Sequence, residues 1–398
     1  MKVALRAINK YLGKDVFLAA ILAMVAASSA MGADLIVSGN DAKFVREGGV
    51  GGYPEGVGPD TLTVIDASVF PPKVVETVEV RHTLSGPPQQ VGITPTGELA
   101  IVSAPTFYDH SNQSLVMENY LQIVDLTVSP AEITQRVDVG THPQAVAINR
   151  EGDLMLVSTV AGTVVVLEID GKSVEVVDEI KISDGRLSGI SFTHDGSNAI
   201  VGLRDEQGAV VLNIVDGVVS TEFDRITTGI APYAIDVSSD GKWAVIGNVG
   251  LAGIVTSGHQ ADADSFTLVD TSSKPYRAVQ HVTVPSIPEA VTISPDGRWI
   301  AVQTMNGSSL PYGADGYNPV GTVLLYEIQD GQAVKTSELP NGEASQGMVF
   351  TADNKYLLVQ FSTEQEIAVF AVNDGDMEDT GERIPVSGAP VSIRSMPR

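Results

Sequence analysis

The chain has 398 residues, of which 43% are hydrophobic and 18% are charged, and its formal net charge at pH 7 is −25. This composition supplies a large apolar core, and the negative field disfavours binding to nucleic acid and to anionic membrane surfaces. Because the chain contains no cysteine, disulfides, a lipid-modified N-terminal cysteine, covalently attached haem and thiolate metal ligands are excluded.

Residues 1–33 have the order of a secretory signal peptide. Four basic residues precede or flank an apolar stretch over 16–27, and small residues follow over 28–33. The apolar stretch is short for a bilayer span, so we expect cleavage within 30–33 and no membrane span in the mature chain. The sequence therefore predicts a periplasmic or secreted protein, with a retained anchor as the alternative.

The stretch IPEAVTISPDGRWIAV (287–302) belongs to an internal repeat. Five similar stretches precede or follow it, and a truncated copy occupies 388–398. The turn residues that mark the period are Gly97, Gly152, Gly196, Gly241, Gly297 and Asn354. They indicate a basic unit of about 44 residues with insertions in some copies.

Each unit reads as four antiparallel strands. In residues 140–183, four apolar runs are separated by short turns, including Asp170-Gly171. An Asp-Gly pair between apolar runs is a strong hairpin signal, because both residues tolerate positive φ. Several runs are apolar on both faces, as expected for strands covered on both sides. Four-stranded sheets packed face to face around an axis satisfy this pattern, so we predict a β-propeller.

The number of blades follows from the two ends of the mature chain. Six units are complete, and one orphan strand, 388–395, remains at the C-terminus. Three strands at the N-terminus, 34–40, 60–66 and 73–80, lack a fourth. Together they make a seventh blade, so residues 34–398 form one closed seven-bladed propeller without exposed sheet edges.

Three segments carry a resemblance to a known family. These are VSGN…GPDTLTVID (37–66), VSAP…NYLQIVDL (102–126) and IGNV…DADSFTLVD (246–270). With the P-x-x-V-x-I-x-x-D-G pattern of the inner strands, they resemble the YVTN-type repeat of bacterial seven-bladed propellers, which include lactonase-like and periplasmic proteins. The resemblance covers the mature chain and implies architecture rather than activity, since such propellers include enzymes and binding scaffolds.

Four insertions fall between the second and third strands of their units, over 37–60, 104–120, 248–265 and 304–321. These loops share one face with the loops that connect consecutive blades, whereas the Asp-Gly turns lie on the other face. Long loops on a rigid scaffold usually carry function, so we predict a functional loop-bearing face. The alternative is tolerated decoration.

A polar ring is predicted at the loop-bearing mouth of the central channel, where each inner strand begins. Its seven positions are occupied by Gln89, Gln144, Ser188, Tyr233, Glu289, Gln346 and Val391. Glu289 is the only carboxylate of the ring, and we interpret it as a ligand-facing acid or base. The alternative is an acid that only binds channel water.

Ligand-binding residues are predicted from this ring and from the insertions. Gln89, Gln144, Ser188, Tyr233 and Gln346 would contact a small polar ligand. Tyr108, Tyr312 and Tyr317 would stack on a sugar or an aromatic group, or instead cap the ends of two blades.

Catalytic candidates follow from what a lactonase-like site requires, namely a base to activate water and a cation for the oxyanion. His142, Glu289 and Arg186 supply these types, and His82 and Arg204 lie in neighbouring loops. No serine-hydrolase elbow, phosphate loop, dinucleotide fingerprint or zinc-protease motif is present. Two functions therefore stay open: a propeller that binds a small polar molecule, glycan or protein, and a lactonase-like hydrolase or a lyase or isomerase.

A metal site is a further possibility in the third insertion. His259, Asp262 and Asp264 alternate in sequence, and such an oxygen-rich set suits Ca²⁺ better than Zn²⁺. The alternative is a solvated acidic loop. The sequence predicts no required cofactor.

Overall fold

The computed structural model describes residues 34–253 and 263–397, which form seven four-stranded antiparallel sheets. These are the seven predicted blades. Blade 1 combines the N- and C-terminal strands, and blades 2–7 follow in chain order. The predicted signal peptide and the two metal candidates His259 and Asp262 lie outside the described residues.

The strands of blades 1–4, from the channel outwards, have the following bounds: Ala389–Ser395, Leu35–Asp41, Asp60–Asp66 and Lys73–Val80; Val91–Ile93, Leu99–Val102, Tyr120–Asp125 and Glu132–Asp138; Pro143–Ile148, Leu154–Thr159, Thr163–Asp170 and Ser173–Lys181; Leu187–Phe192, Asn198–Leu203, Ala209–Val215 and Val218–Ile226.

The strands of blades 5–7, in the same order, are Pro232–Val237, Trp243–Asn248, Asp264–Asp270 and Arg277–Val284; Ala290–Ile293, Trp299–Thr304, Thr322–Gln329 and Gln332–Pro340; Met348–Phe350, Tyr356–Phe361, Glu366–Asn373 and Asp376–Pro385.

The ring is closed within blade 1, as the sequence predicted. The C-terminal strand Ala389–Ser395 pairs antiparallel with Leu35–Asp41, from Ile36 opposite Ser395 to Asp41 opposite Ala389. The inner strands of neighbouring blades also contact each other all the way around the axis. Closure leaves no blade with an unpaired inner strand.

The core lies between blades rather than within them. Seven buried apolar clusters each join two adjacent blades. The two-residue period of a strand explains this, because successive side chains point to opposite faces. In blade 1, for example, Ile36 packs against blade 7 and Val37 packs against blade 2.

The insertions add small elements on the loop-bearing face. The blade-1 insertion contains the hairpin Val45–Glu47 and Val50–Gly52, and the blade-2 insertion contains Thr106–Asp109 and Ser114–Met117. The described part of the blade-5 insertion begins with a 3₁₀ helix, Gly250–Gly253. No described segment is a helix of the length and apolarity that a membrane crossing requires.

Candidate functional site

The blade-1 insertion, residues 42–59, leaves the sheet from a buried ionic anchor and is here called the arch. Lys43 Nζ lies 3.1 Å from Asp41 Oδ1 and 2.9 Å from Asp60 Oδ2, and both carboxylates are buried. Asp41 also accepts hydrogen bonds from the backbone N–H groups of Phe44 (3.1 Å) and Leu84 (2.9 Å). These contacts fix the direction in which the arch starts.

The tip of the arch reaches the blade-6 insertion. Arg46 Nη1 donates to Ser309 O and to Gly49 O, at 2.9 Å each, and Tyr312 N donates to Gly48 O at 3.3 Å. Gly49 has φ +77°, and a Cβ there would lie 2.7 Å from Leu310 O. A glycine is therefore required where the two insertions meet. The arch crosses the channel mouth from blade 1 to blade 6.

A cavity of about 400 Å³ lies beneath the arch at the channel mouth, and is here called the loop-face cavity. Its floor and walls come from blades 4–6 and its roof from the arch. The lining residues are Phe44, Arg46, Gly49, Val50, Gly51, Arg204, Val249, Ala252, Gly253, Ile287, Glu289, Ser309 and Pro311.

Glu289 lies in the floor of this cavity and is only 8% exposed. A small apolar cluster that includes Tyr233, Ile287 and Met305 packs in the same region. Burial raises the pKa of Glu289 to about 8, although the positive charge of Arg204 acts in the opposite direction. At neutral pH the side chain is therefore mainly a neutral carboxylic acid, which donates as well as accepts hydrogen bonds. The sequence identified this residue and left open whether it faces a ligand or only binds channel water; in the structure, the arch and the apolar cluster bury it.

Arg204 is the cation that accompanies Glu289. Its guanidinium carbon lies 4.5 Å from the centroid of the Tyr233 ring, and its buried Nε has no hydrogen-bond partner among residues 34–253 and 263–397. Burial raises the pKa of Tyr233, and the negative charge of Glu289 raises it further. Arg204 occupies a short second-to-third loop, so its place in the repeat was the signal that pointed to it.

Arg186, the predicted oxyanion cation, is already engaged. Its Nη2 lies 2.7 Å from Asp205 Oδ1, and its Nε lies 2.9 Å from Asp205 Oδ2. This fork raises the pKa of Arg186 and lowers that of Asp205. The structure thus places Arg204, rather than Arg186, in the lining of the loop-face cavity.

His142 lies on blade 3 and does not line the loop-face cavity. It is buried, its Nδ1 is 2.8 Å from Glu118 O of blade 2, and burial lowers its pKa. His82 is fully buried at the base of the arch, and burial lowers its pKa to about 4. The three predicted catalytic residues are therefore not gathered in one place, and their catalytic roles stay predictions.

The ring residues differ in how their polar groups are used. Gln89 extends across the channel: its Nε2 donates to Ile235 O at 2.9 Å, and its Oε1 accepts from Ile235 N at 2.8 Å. Ser188 Oγ donates to Pro232 O at 2.7 Å. Gln346 makes one long contact, Nε2 to Leu84 O at 3.5 Å. Gln144 and Val391 are buried near the same mouth. Gln89 closes the channel below the loop-face cavity.

The three predicted tyrosines lie outside the lining of the loop-face cavity. Tyr108 stacks on Tyr53 of the arch with ring centroids 4.3 Å apart, and it lines a separate cavity beside blade 2. Tyr312 lies 5.2 Å from Tyr317, and its hydroxyl donates to Glu343 Oε2 at 3.0 Å. Their contacts support the insertions, and their ligand-binding role stays a prediction.

Within the described ranges, no group of three or more His, Asp or Glu side chains is arranged to hold a metal ion. Of the three metal candidates, only Asp264 is described, and its Oδ2 accepts a hydrogen bond from Ile287 N at 2.7 Å. This contact connects blade 5 to the start of the inner strand of blade 6, next to Glu289.

Comparison with solved structures supports the fold. A hydrazine synthase chain of Kuenenia stuttgartiensis superposes with a TM-score of 0.59 at 22% identity, covering 79% of this chain and 91% of that one. A candidate 6-phosphogluconolactonase of Bacteroides fragilis gives 0.68 at 14% identity, covering 92% and 99%. The periplasmic gluconolactonase of Pseudomonas aeruginosa gives 0.63 at 14%, covering 91% and 99%.

No family model and no curated protein matches the sequence. At the identities of the superposed structures, the likeness extends to the seven-bladed architecture alone. The superposed gluconolactonase-like propellers share that architecture with this chain.

Proposed function

We propose that this chain is an exported propeller that binds a small polar ligand in the loop-face cavity. The observation that carries the proposal is Glu289, whose Oε2 is buried without a hydrogen-bond partner among the described residues, in the floor of a cavity. An unsatisfied buried polar group costs about 1–3 kcal/mol. A ligand oxygen at this position would remove that cost.

The cavity specifies the class of ligand. Its volume of about 400 Å³ lies within the range of about 300–1,000 Å³ that small-molecule pockets occupy. The neutral Glu289 and the cation Arg204 both donate hydrogen bonds, so they favour a ligand rich in acceptor oxygens, such as a sugar or a sugar lactone. The roof that Phe44 and Arg46 provide favours a small molecule over a long glycan or a protein surface.

Isothermal titration calorimetry with 1,5-anhydroglucitol, a cyclic sugar ether without a hydrolysable bond, tests this proposal. We expect binding at pH 6.5 that weakens at least tenfold at pH 9, because the donor on Glu289 is lost above its pKa. Glu289→Leu should abolish binding, whereas the exposed control Glu175→Leu should leave it unchanged. Binding that persists in Glu289→Leu would place the ligand elsewhere.

A second candidate function, lactone hydrolysis, is favoured by the pKa of Glu289 of about 8. The deprotonated carboxylate would take a proton from water while the hydroxide adds to the lactone carbonyl. Arg204 would offset the negative charge on that oxygen, the ring C–O bond would break, and Glu289 would return the proton to the departing alkoxide. The structural similarity to gluconolactonase-like propellers supports the same reaction class.

The two functions require opposite protonation states of Glu289. Hydrolysis of glucono-1,5-lactone, corrected for the spontaneous reaction, should rise with pH to a plateau above about 8, whereas binding through the acid should fall over the same interval. Glu289→Gln should reduce hydrolysis by about 10²–10⁴-fold and leave binding of 1,5-anhydroglucitol nearly independent of pH. Hydrolysis that is equal in Glu289→Gln and in the native chain would exclude this enzyme reading.

A further inference from the structure

The turn-bearing end of the central channel forms a second cavity, of about 180 Å³, here called the turn-face funnel. The ends of the inner strands of all seven blades line it. A cavity of this size holds several waters or one small anion.

Gln89 separates this funnel from the loop-face cavity. Its side-chain amide reaches from blade 2 to the backbone of Ile235 in blade 5, and the same carbonyl oxygen, Ile235 O, lies 3.5 Å from Arg394 Nη2. No described residue lines both cavities. A ligand in the funnel would therefore contact a different set of residues from one bound beside Glu289.

The charge of the funnel is opposite to that of the chain. Its charged or titratable lining residues are Arg150, His194, Asp236 and Arg394, which gives two permanent cations against one carboxylate. The whole chain carries a net charge of −25. The composition of such an acidic protein does not explain an excess of positive charge at this end of the channel.

Arg394 is the central cation of the funnel. It lies three residues after the ring residue Val391, and the corresponding positions of the other six blades hold small, apolar or uncharged residues except for Asp236. Its Nη1 lies 3.9 Å from Asp236 Oδ1, across the channel. Asp236 Oδ2 is already used by Thr292 Oγ1 (2.8 Å) and Ile293 N (2.9 Å). Of the five donors of a guanidinium, most are thus left unused by residues in the described ranges.

His194 supplies a second donor. Arg150 Nη1 lies 2.8 Å from His194 Nε2, and because arginine only donates, Nε2 must be the acceptor. A neutral His194 then carries its proton on Nδ1. This Nδ1 is buried and has no partner in the part of the chain that the structure describes.

We propose that the turn-face funnel binds a small oxyanion, a carboxylate or a phosphate, through the guanidinium of Arg394 and the Nδ1–H of His194. His194 Nδ1 has no partner in the described ranges, and Arg394 has only two long contacts, to Ile235 O at 3.5 Å and to Asp236 Oδ1 at 3.9 Å. Charge-assisted hydrogen bonds to an anion are stronger than neutral ones. The gap of 3.9 Å between Arg394 and Asp236 leaves the cation available, whereas a tight ion pair would not.

Isothermal titration calorimetry with inorganic phosphate and with malonate, at ionic strength held constant with sodium chloride, tests the site and separates the two anion classes. We expect one of the two anions to bind the native chain. Arg394→Gln should weaken that binding at least tenfold, and Asp236→Asn should tighten it severalfold, because it removes the opposing carboxylate. The exposed outer-strand control Arg277→Gln should leave it unchanged.

Because Arg394→Gln should weaken anion binding and Asp236→Asn should tighten it, either variant tests the site if the other folds poorly. In the native chain, the bound anion should also shift the side-chain ¹⁵Nε–¹H NMR signal of Arg394. Absence of binding by either anion above the chloride background would overturn the proposal. Binding that both substitutions leave unchanged, or an Arg394 signal that does not respond to a bound anion, would overturn it as well.

Discussion

The two ends of the central channel are built from the same repeat, yet they place charge in opposite environments. At the loop face, Glu289 is buried beneath the arch, and its pKa is raised to about 8. At the turn face, Arg394 is about one-fifth exposed in a funnel, where burial lowers its pKa and the negative charge of Asp236 opposes that shift. The repeat fixes the position of a side chain in its blade, and the insertions determine whether that side chain is exposed to solvent.

The largest effect is expected from opening the ring that both ends share. Deletion of residues 388–398 removes the inner strand of blade 1, which pairs with Leu35–Asp41 and contacts both neighbouring blades. Two sheet edges would be exposed, so we expect aggregation or loss of the cooperative transition in differential scanning calorimetry. Deletion of 396–398 alone, outside the strand, is the control. If the chain that lacks residues 388–398 melts like the full chain, closure of the ring by this strand is contradicted.

A change confined to the loop-face end should come next in size. Lys43→Met leaves the buried carboxylates Asp41 and Asp60 without their cation. Removal of one partner of a buried ion pair costs about 3–5 kcal/mol, so urea denaturation should show a loss of that order. The matched control is Lys335→Met, whose partner Glu338 is half-exposed; it should cost under about 1 kcal/mol. Equal losses in both variants would show that the buried ion pairs of Lys43 stabilise the chain no more than an exposed ion pair does.

The divider between the two ends can be tested by a matched pair of glutamines. Gln89→Leu leaves Ile235 N without its side-chain acceptor, whereas Ile235 O still accepts from Ser191 Oγ at 2.8 Å. The change should therefore cost about 1–3 kcal/mol. Gln346 makes only a 3.5 Å contact, so Gln346→Leu should cost clearly less in the same urea titration. A reversed order would mean that the contacts of Gln89 with Ile235 stabilise the chain less than the single long contact of Gln346 does.

The sequence was sufficient for the architecture and for the position of Glu289. The period of the repeat predicted the four-stranded blades, and the orphan strand at 388–395 predicted that the ring closes within blade 1. The path of the arch was not predictable, because it depends on contacts such as Arg46 with Ser309 that lie 263 positions apart. Without the arch, Glu289 is expected in water, and its neutral form at pH 7 is missed.

Arg394 was missed for a different reason. The polar ring is predicted from one position of each repeat, whereas Asp236 and Arg394 are the only charged residues at the position three residues further along. The same alignment of repeats, read three positions further, contained the signal. By contrast, no pattern could show that Asp205 engages Arg186 and leaves Arg204 to line the cavity.

The effect on stability that depends on pH concerns Glu289 itself, and it has a defined sign. A carboxyl group whose pKa is raised on folding makes the native state less stable as pH rises from about 4.5 towards about 8. Glu289→Gln should therefore match the native chain near pH 4.5 and be more stable at pH 9 by up to about 5 kcal/mol, because each unit of pKa difference corresponds to about 1.4 kcal/mol. Thermal melts across this range measure it, with Glu175→Gln as the exposed control. A stability difference that is independent of pH would contradict the linkage.

The most direct test of the proposed site in the loop-face cavity is the titration of Glu289 by NMR. In protein labelled with ¹³C at the glutamate side-chain carboxyl, the resonance of Glu289 is the one that disappears in Glu289→Gln. Because the carboxyl group is buried, we expect a titration midpoint near pH 8, well above the usual glutamate value of 4.5. A midpoint near 4.5 would show an ordinary solvated carboxylate and would remove the basis for the proposed site.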